Sequence, residues 1–222
     1  MRTKQQQQPV TVESIREAHR ARRAEIRARL SEFDAVRREG TDERLWEELV
    51  FCIFTAGASA RMGLRSVEAV GPLLGAGTHE ELAAALTGRH RYPRSRSGYI
   101  VVTREHLRAD CGMRLGDRLE AFSDPLARRD WLARERGIKG LGFKESSHFL
   151  RNVGYRGYAI LDKHILRSLA ELGVTESPDP PTTRARYLAT EESLRRFARD
   201  TRIDFDELDL VLWSMKTGEI LK

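Results

Sequence analysis

Cysteine is almost missing from this chain of 222 residues: Cys52 and Cys111 are the only two. Two residues so placed suit neither a zinc site nor an iron–sulfur cluster. They provide no disulfide framework either, so a reducing compartment is expected. Long apolar runs are also missing. The longest, LVFCIFTAGASA from Leu49 to Ala60, is too short to cross a bilayer. The start, MRTKQQQQPV, has no apolar stretch, so no signal peptide is expected, and residues 1–10 with their glutamine run read as a disordered tip. Alternation of apolar and polar residues with period two is essentially absent, which removes strand-based folds. Lysine is scarce as well. Lys4, Lys139, Lys144, Lys163, Lys216 and Lys222 are all there are, although lysine and arginine together number 39 against 33 acidic residues.

What remains is a helical pattern. From Thr11 to about Arg38 the chain is polar with a sparse apolar stripe, Ile15, Ile26, Leu30 and Phe33. Thr41 is placed to cap a helix carrying Leu45, Trp46, Leu49, Val50 and Phe54, apolar enough to be central to a core. A helix near Arg61 to Leu74 follows. Thr78 and Glu81 then form a capping-box pattern. GRHRYPRSRSGY, from Gly88 to Tyr99, reads as a basic link before a helix from about Ser95 to Arg108. Ser123 is expected to cap the next helix, with Pro125 in its first turn, where proline is tolerated. Further helices are expected after Asp162 up to a closing Gly173, from Thr182 to Arg199, and from Asp204 to Met215. The fold class is all-α, with roughly ten helices in two lobes. The net charge of +6 suits a polyanionic partner.

One segment departs from plain helix: RGIKGLGFKESSHFLRNVG, from Arg136 to Gly154. A helix ends near Arg136, Ile138 plugs the turn, Gly140 and Gly142 flank Leu141, and a second helix starts near Phe143. Glycines permit positive φ and close backbone approach. Amides at the second helix's N-terminus, aided by the helix dipole, make a seat for phosphate that reads no base. Lys144 follows at once. The dipole and neighbouring arginines disfavour its charged form, and a neutral amine is a nucleophile that forms Schiff bases. Eighteen positions on stands Asp162, a natural N-cap that also supplies a carboxylate for a cationic transition state.

GLGFKESSHFLRNVG followed by AILDKHIL resembles the helix-hairpin-helix DNA glycosylase superfamily, and most closely its archaeal-type (type 2) 8-oxoguanine DNA glycosylase/AP lyases. FTAGASARMGL, RYPRSRSGYIV and the ending LDLVLWSMKTGEILK are similar to that family too, so the resemblance extends from about Trp46 to Lys222. The proline usual after the hairpin is absent, and Gly154 and Gly157 stand in its place. The resemblance implies two helical lobes flanking a cleft, the second containing the hairpin at about 130–165, together spanning residues 11–222. It implies that Lys144 attacks C1′ of a flipped nucleotide and that Asp162 assists, with β-elimination cutting the strand. It makes Trp213 a wall of the base pocket and the carboxylate of Lys222 a reader of the guanine edge. Tyr92 is a weaker stacking candidate. No cofactor is required, while the backbone carbonyls of Arg136, Ile138 and Leu141 are a candidate seat for a monovalent cation. His148, His164, Arg94 and Arg96 have bland structural or surface roles as their default.

The partner implied is double-stranded DNA containing 8-oxoguanine or abasic sites. A cytoplasmic, nucleoid-associated monomer with no membrane contact is expected. Two other readings compete. A non-catalytic helix-hairpin-helix DNA-binding module leaves the pairing of Lys144 with Asp162 unexplained. A related glycosylase/lyase for another damaged base, or one acting mainly on abasic sites, keeps that pair, and the missing cysteines argue against the cluster-bearing branch.

Overall fold

The computed structural model describes residues 10–220, and every regular element among them is helical. In chain order these are α1 (Val12–Glu39), α2 (Asp42–Thr55), α3 (Ala60–Val70), a short 3-10 turn (Gly71–Leu73), α4 (His79–Leu86), α5 (Pro93–Cys111), α6 (Leu115–Glu120), α7 (Pro125–Arg134), α8 (Phe143–Asn152), α9 (Lys163–Glu171), α10 (Arg184–Thr201) and α11 (Phe205–Thr217). The glutamine run and Lys222 lie outside the described residues.

The chain divides into two compact units. One joins the chain up to Glu32 to the chain from Arg156 onward, and the other runs from Phe33 to Tyr155. The division thus falls inside the segment 130–165 that the sequence groups together. The reason is local: beyond Tyr155 the backbone is hydrogen-bonded to α10 and α11 rather than to the hairpin's own helices.

In the Phe33–Tyr155 unit, α2 is the central element. Thr41 caps it, its hydroxyl accepting from the Arg44 N–H at 3.3 Å, and Asp42 and Glu43 complement the positive end of the dipole. From Leu45 to Thr55 only Glu47 escapes burial, and the helix packs against α3, α5, α6 and α8. Buried Glu48 is held by Arg44 at 2.6 Å and by the Asn152 amide at 3.3 Å, a pairing that an interior carboxylate requires.

Several arginines are internal. Arg104 donates to the carbonyls of Leu74 and Gly77 at 3.3 and 2.9 Å, and Arg128 to those of Leu119 and Phe122 at 2.9 and 2.5 Å. Part of the basic excess therefore closes the loops around α4, α6 and α7 instead of facing a partner. Three sequence expectations shift. The basic link is largely helix, since α5 begins at Pro93 and carries Arg94 and Arg96. Asp124, not Ser123, caps α7, accepting from Leu126 and Ala127 at 3.0 and 3.2 Å. A six-residue helix, α6, stands where the sequence shows no readable periodicity.

In the other unit, α9 packs on α11 and α11 on α10. Glu207 of α11 is the tie to α1, bonded by Arg27 at 2.6 Å and by His19 at 2.5 Å. Lys216 of α11 pairs with Glu171 of α9 at 2.7 Å.

Candidate active site

The hairpin is built from α7, α8 and three anchors. The amide of Gly137 donates to the Glu135 carboxylate at 3.1 Å and that of Ile138 to the Glu135 carbonyl at 3.1 Å. The amide of Lys139 donates to the hydroxyl of buried Thr103, on α5, at 2.9 Å. Ile138 and Leu141 are buried plugs, and Arg136 is exposed.

The two glycines singled out in the sequence do different work. Gly140 has φ +80, and a Cβ there would lie 2.7 Å from the edge of the Tyr99 ring and 3.4 Å from Arg96 and Ile53. Gly142 has φ −107 and ψ −168, extended backbone open to any residue. A third glycine, Gly137, is constrained by contact, since a Cβ there would fall 2.1 Å from the His106 ring. Its only sequence signal is its place between Arg136 and Ile138. Gly154 has φ +83 with the Phe33 carbonyl 2.7 Å from its missing Cβ, and Gly157 has φ +84, so both use the freedom proline would not supply.

Arg96 is not a free surface charge. Its guanidinium donates to the Ala56 carbonyl and stacks between Tyr92 and Tyr99, with 5.8 and 5.4 Å to the ring centroids. It thereby ties the turn after α2 to the hairpin glycine.

Lys144 is the second residue of α8, 26% exposed, with its amine 2.8 Å from a carboxylate oxygen of Glu145. The other oxygen of Glu145 accepts from the Gly142 N–H at 3.2 Å. That carboxylate occupies one amide of the phosphate seat inferred from the sequence, a feature the motif does not reveal. The amides of Gly140 and Leu141, in contrast, meet no acceptor among the described residues. Nor does any backbone N–H there donate to the carbonyls of Arg136, Ile138 or Leu141. No cluster of acidic, histidine or cysteine side chains that would hold a metal exists among the described residues, so a cation at the hairpin would take carbonyl oxygen.

Asp162 caps α9 in the other unit. It accepts from His164 and Ile165 at 2.8 and 2.9 Å, both through Oδ1, and Oδ2 takes part in neither bond. The cap therefore engages only one of the two carboxylate oxygens. His164 beside it is held below the ordinary histidine pKa, first by burial and then by the cations Lys163, Arg167 and Lys216, against the pull of Asp162. Trp213 lies on α11 among fully buried Leu208, Leu210 and Leu212, yet is itself only half-buried. Tyr92, the N-cap residue of α5, is 40% exposed. His148 is buried edge-on against Phe51, with ring centroids 5.6 Å apart, as its structural default anticipates. Lys144, Gly140, Gly142, Arg136, Ile138, Leu141 and Tyr92 thus belong to one unit, and Asp162 and Trp213 to the other.

Residues 26–203 match the family model described as 8-oxoguanine DNA glycosylase. An 8-oxoguanine DNA glycosylase/AP lyase of Korarchaeum cryptofilum is 43% identical over 198 residues, 89% of this chain and 90% of the relative. The protein of the same description from Methanocaldococcus jannaschii is 37% identical over 198 residues, covering 89% of this chain and 91% of its own. Among solved structures, the Methanocaldococcus jannaschii 8-oxoguanine glycosylase/lyase in complex with a 15mer DNA containing 8-oxoguanine is similar with a TM-score of 0.86 at 35% identity, over 95% of this chain and 99% of that one. The Thermotoga maritima 8-oxoguanine DNA glycosylase has a TM-score of 0.85 at 35% identity, over 95% and 98% of the two chains. By that family model and these relatives, this chain belongs to the 8-oxoguanine DNA glycosylase family of helix-hairpin-helix proteins.

Proposed function

We propose that the protein is a bifunctional DNA repair enzyme that excises 8-oxoguanine from duplex DNA and then cleaves the strand 3′ to the abasic site. Relatives of that description cover nearly the whole chain, and one structural neighbour holds DNA containing the lesion. The observation that carries the chemistry is the amine of Lys144, partly exposed at the start of α8 and paired with the Glu145 carboxylate.

A duplex hides C1′, so the damaged nucleotide is extruded before reaction, at a cost of a few kcal/mol. The amides of Gly140 and Leu141 take backbone phosphate oxygens and offset part of that cost. The Lys144 ammonium gives up a proton to solvent, and its lone pair attacks C1′ as the C1′–N9 bond breaks; the bond's electrons leave with the base, which takes up the proton shed by the new C1′–N bond. The carboxylate of Asp162 supplies negative charge that stabilises the developing positive charge on the sugar. Loss of the ring oxygen from C1′ leaves an imine between Lys144 and the opened sugar. Removal of a C2′ proton then expels the 3′ phosphate. Trp213 forms a wall for the base and Tyr92 a secondary stacking surface. The N7–H of 8-oxoguanine, a donor where guanine has an acceptor, is the atom that discriminates. A monovalent cation on the carbonyls of Arg136, Ile138 and Leu141 would add positive charge beside the phosphate.

Borohydride trapping on a duplex with one 8-oxoguanine tests this. The wild type is expected to give a covalent adduct and Lys144→Gln none. Salt-sensitive binding without any adduct would leave only a DNA-binding module, and trapping on abasic DNA alone would point to another base. Asp162→Asn keeps a good N-cap, so its unfolding temperature should stay near that of the wild type while excision is crippled. Parallel loss of fold and activity would reduce Asp162 to a cap.

A further inference from the structure

The six residues that lead into Asp162 run without regular structure, yet their backbone is claimed by buried acids. The amide of Gly157 donates to Asp206 at 3.0 Å, that of Ala159 to Glu191 at 2.9 Å, and that of Ile160 to Asp209 at 3.4 Å. The Tyr187 hydroxyl completes the series, donating to the Ala159 carbonyl at 2.7 Å and meeting the Leu161 amide at 3.5 Å. Arg195 donates to the Gly157 carbonyl at 2.9 Å. Tyr187, Glu191 and Arg195 stand four apart on one face of α10, and Asp206 and Asp209 stand three apart on α11. Exposure of Asp206, Glu191 and Asp209 is 9, 5 and 3%.

Burying three carboxylates is expensive, and a packed loop needs none of them. Backbone amides are satisfied more cheaply by carbonyls or water. What a ladder of fixed acceptors adds is direction. Each anchored amide sets the peptide plane before the next, and the series ends at the residue whose Oδ1 caps α9 and whose Oδ2 is left out of the cap. The final link is short: the Asp162 amide donates to the Ile160 carbonyl at 2.7 Å.

We propose that Glu191, Asp209 and Asp206, with Tyr187, are positioning residues for Asp162: they hold residues 157–161 so that Oδ2 is presented in one orientation to the reacting sugar. This rests on the catalytic assignment of Asp162 made above. Enzymes lose about 100-fold in rate when a reacting group is misplaced by about 1 Å, which sets the size of effect to look for.

The experiment is a double-mutant cycle on single-turnover excision of 8-oxoguanine from a duplex, with unfolding temperature and affinity for a duplex holding an uncleavable abasic analogue measured beside it. Glu191→Gln and Asp209→Asn are expected to fold, to bind the analogue within about twofold of wild type, and to excise roughly 10- to 100-fold more slowly. In the background of Asp162→Asn the same changes are expected to have no further effect on rate. A rate loss that persists undiminished in that background, or that tracks only the fraction folded, overturns the proposal. If the acidic variants do not fold, Tyr187→Phe, which removes one hydroxyl from the end of the series, is carried through the same cycle with the same two outcomes. If Asp162→Asn itself leaves excision intact, the catalytic assignment fails. If it cripples excision while the four supporting residues prove dispensable, the positioning role alone fails.

Discussion

Exchanging each hairpin glycine for alanine separates backbone geometry from phosphate contact. Alanine at Gly140 meets two obstacles. Its φ of +80 is in the left-handed region, where a Cβ costs about 1–2 kcal/mol. The new carbon would also sit 2.7 Å from the Tyr99 ring, with Arg96 and Ile53 at 3.4 Å blocking retreat, and overpacking of that kind costs about 1–3 kcal/mol. Together the loss is about 2–5 kcal/mol, or roughly 4–20 °C in unfolding temperature for a chain of this size. Alanine at Gly142 meets neither obstacle. Its φ is −107 and its nearest neighbour would be a Glu145 oxygen at 3.4 Å, so only the N-cap preference for glycine over alanine is lost, about 0.5–1 kcal/mol. Thermal unfolding by circular dichroism reads the first effect, and fluorescence anisotropy with an abasic-analogue duplex reads phosphate contact. Gly140→Ala is expected to lower both. Adding Tyr99→Ala should restore the steric share only. Equal destabilisation by the two alanines would refute the assignment of Gly140 as the constrained position. A binding loss confined to Gly142→Ala, with unfolding lowered no further than that, would move the phosphate from the Gly140 and Leu141 amides to the start of α8.

Glu145→Gln keeps an acceptor for the Gly142 amide but removes the negative charge that faces Lys144 and the phosphate seat. Duplex affinity should rise a few-fold at low salt and the gain should vanish as salt is raised; no gain at low salt would show that this carboxylate does not lie near the DNA. Glu207 gives the pH prediction. Burial raises its pKa, but hydrogen bonds and charge from Arg27 and His19 together outweigh that, and the folded value lies below the ordinary one. A depressed carboxylate contributes stability that is present above its unfolded pKa, about 4.5, and lost as pH falls through the folded value. Glu207→Gln should therefore flatten the acid limb of unfolding temperature against pH, and an unaltered limb would exclude Glu207 as its source.

The contrast between Lys144 and the acids behind Asp162 marks how far the sequence is legible. The helices can be read because periodicity and caps are local: Thr41, the pair of Thr78 and Glu81, and Asp204 each act within one turn of chain. The short α6 escapes because Leu115 and Leu119 are its only buried residues, too few to define a period. Asp124 displaces Ser123 because adjacent residues of good capping type differ only in which side chain reaches the amides. Lys144 is legible since its meaning lies in the hairpin next to it. Glu145 is not, because the reciprocal half of a capping box has no signature when the N-cap residue is glycine and has no side chain to offer. For Glu191, Asp206 and Asp209 the relevant partner is a segment between 32 and 49 positions away, and an acid on a helix reads as solvated until that partner is known. There is still a signal in DFDELDLVLW. Asp206 and Asp209 share a helix with Leu208, Leu210, Val211 and Leu212, all of them buried, so a carboxylate at either place has to be matched inside the protein. What that pattern withholds is the identity of the match, which includes the amides of Gly157 and Ile160, in the segment that leads into Asp162.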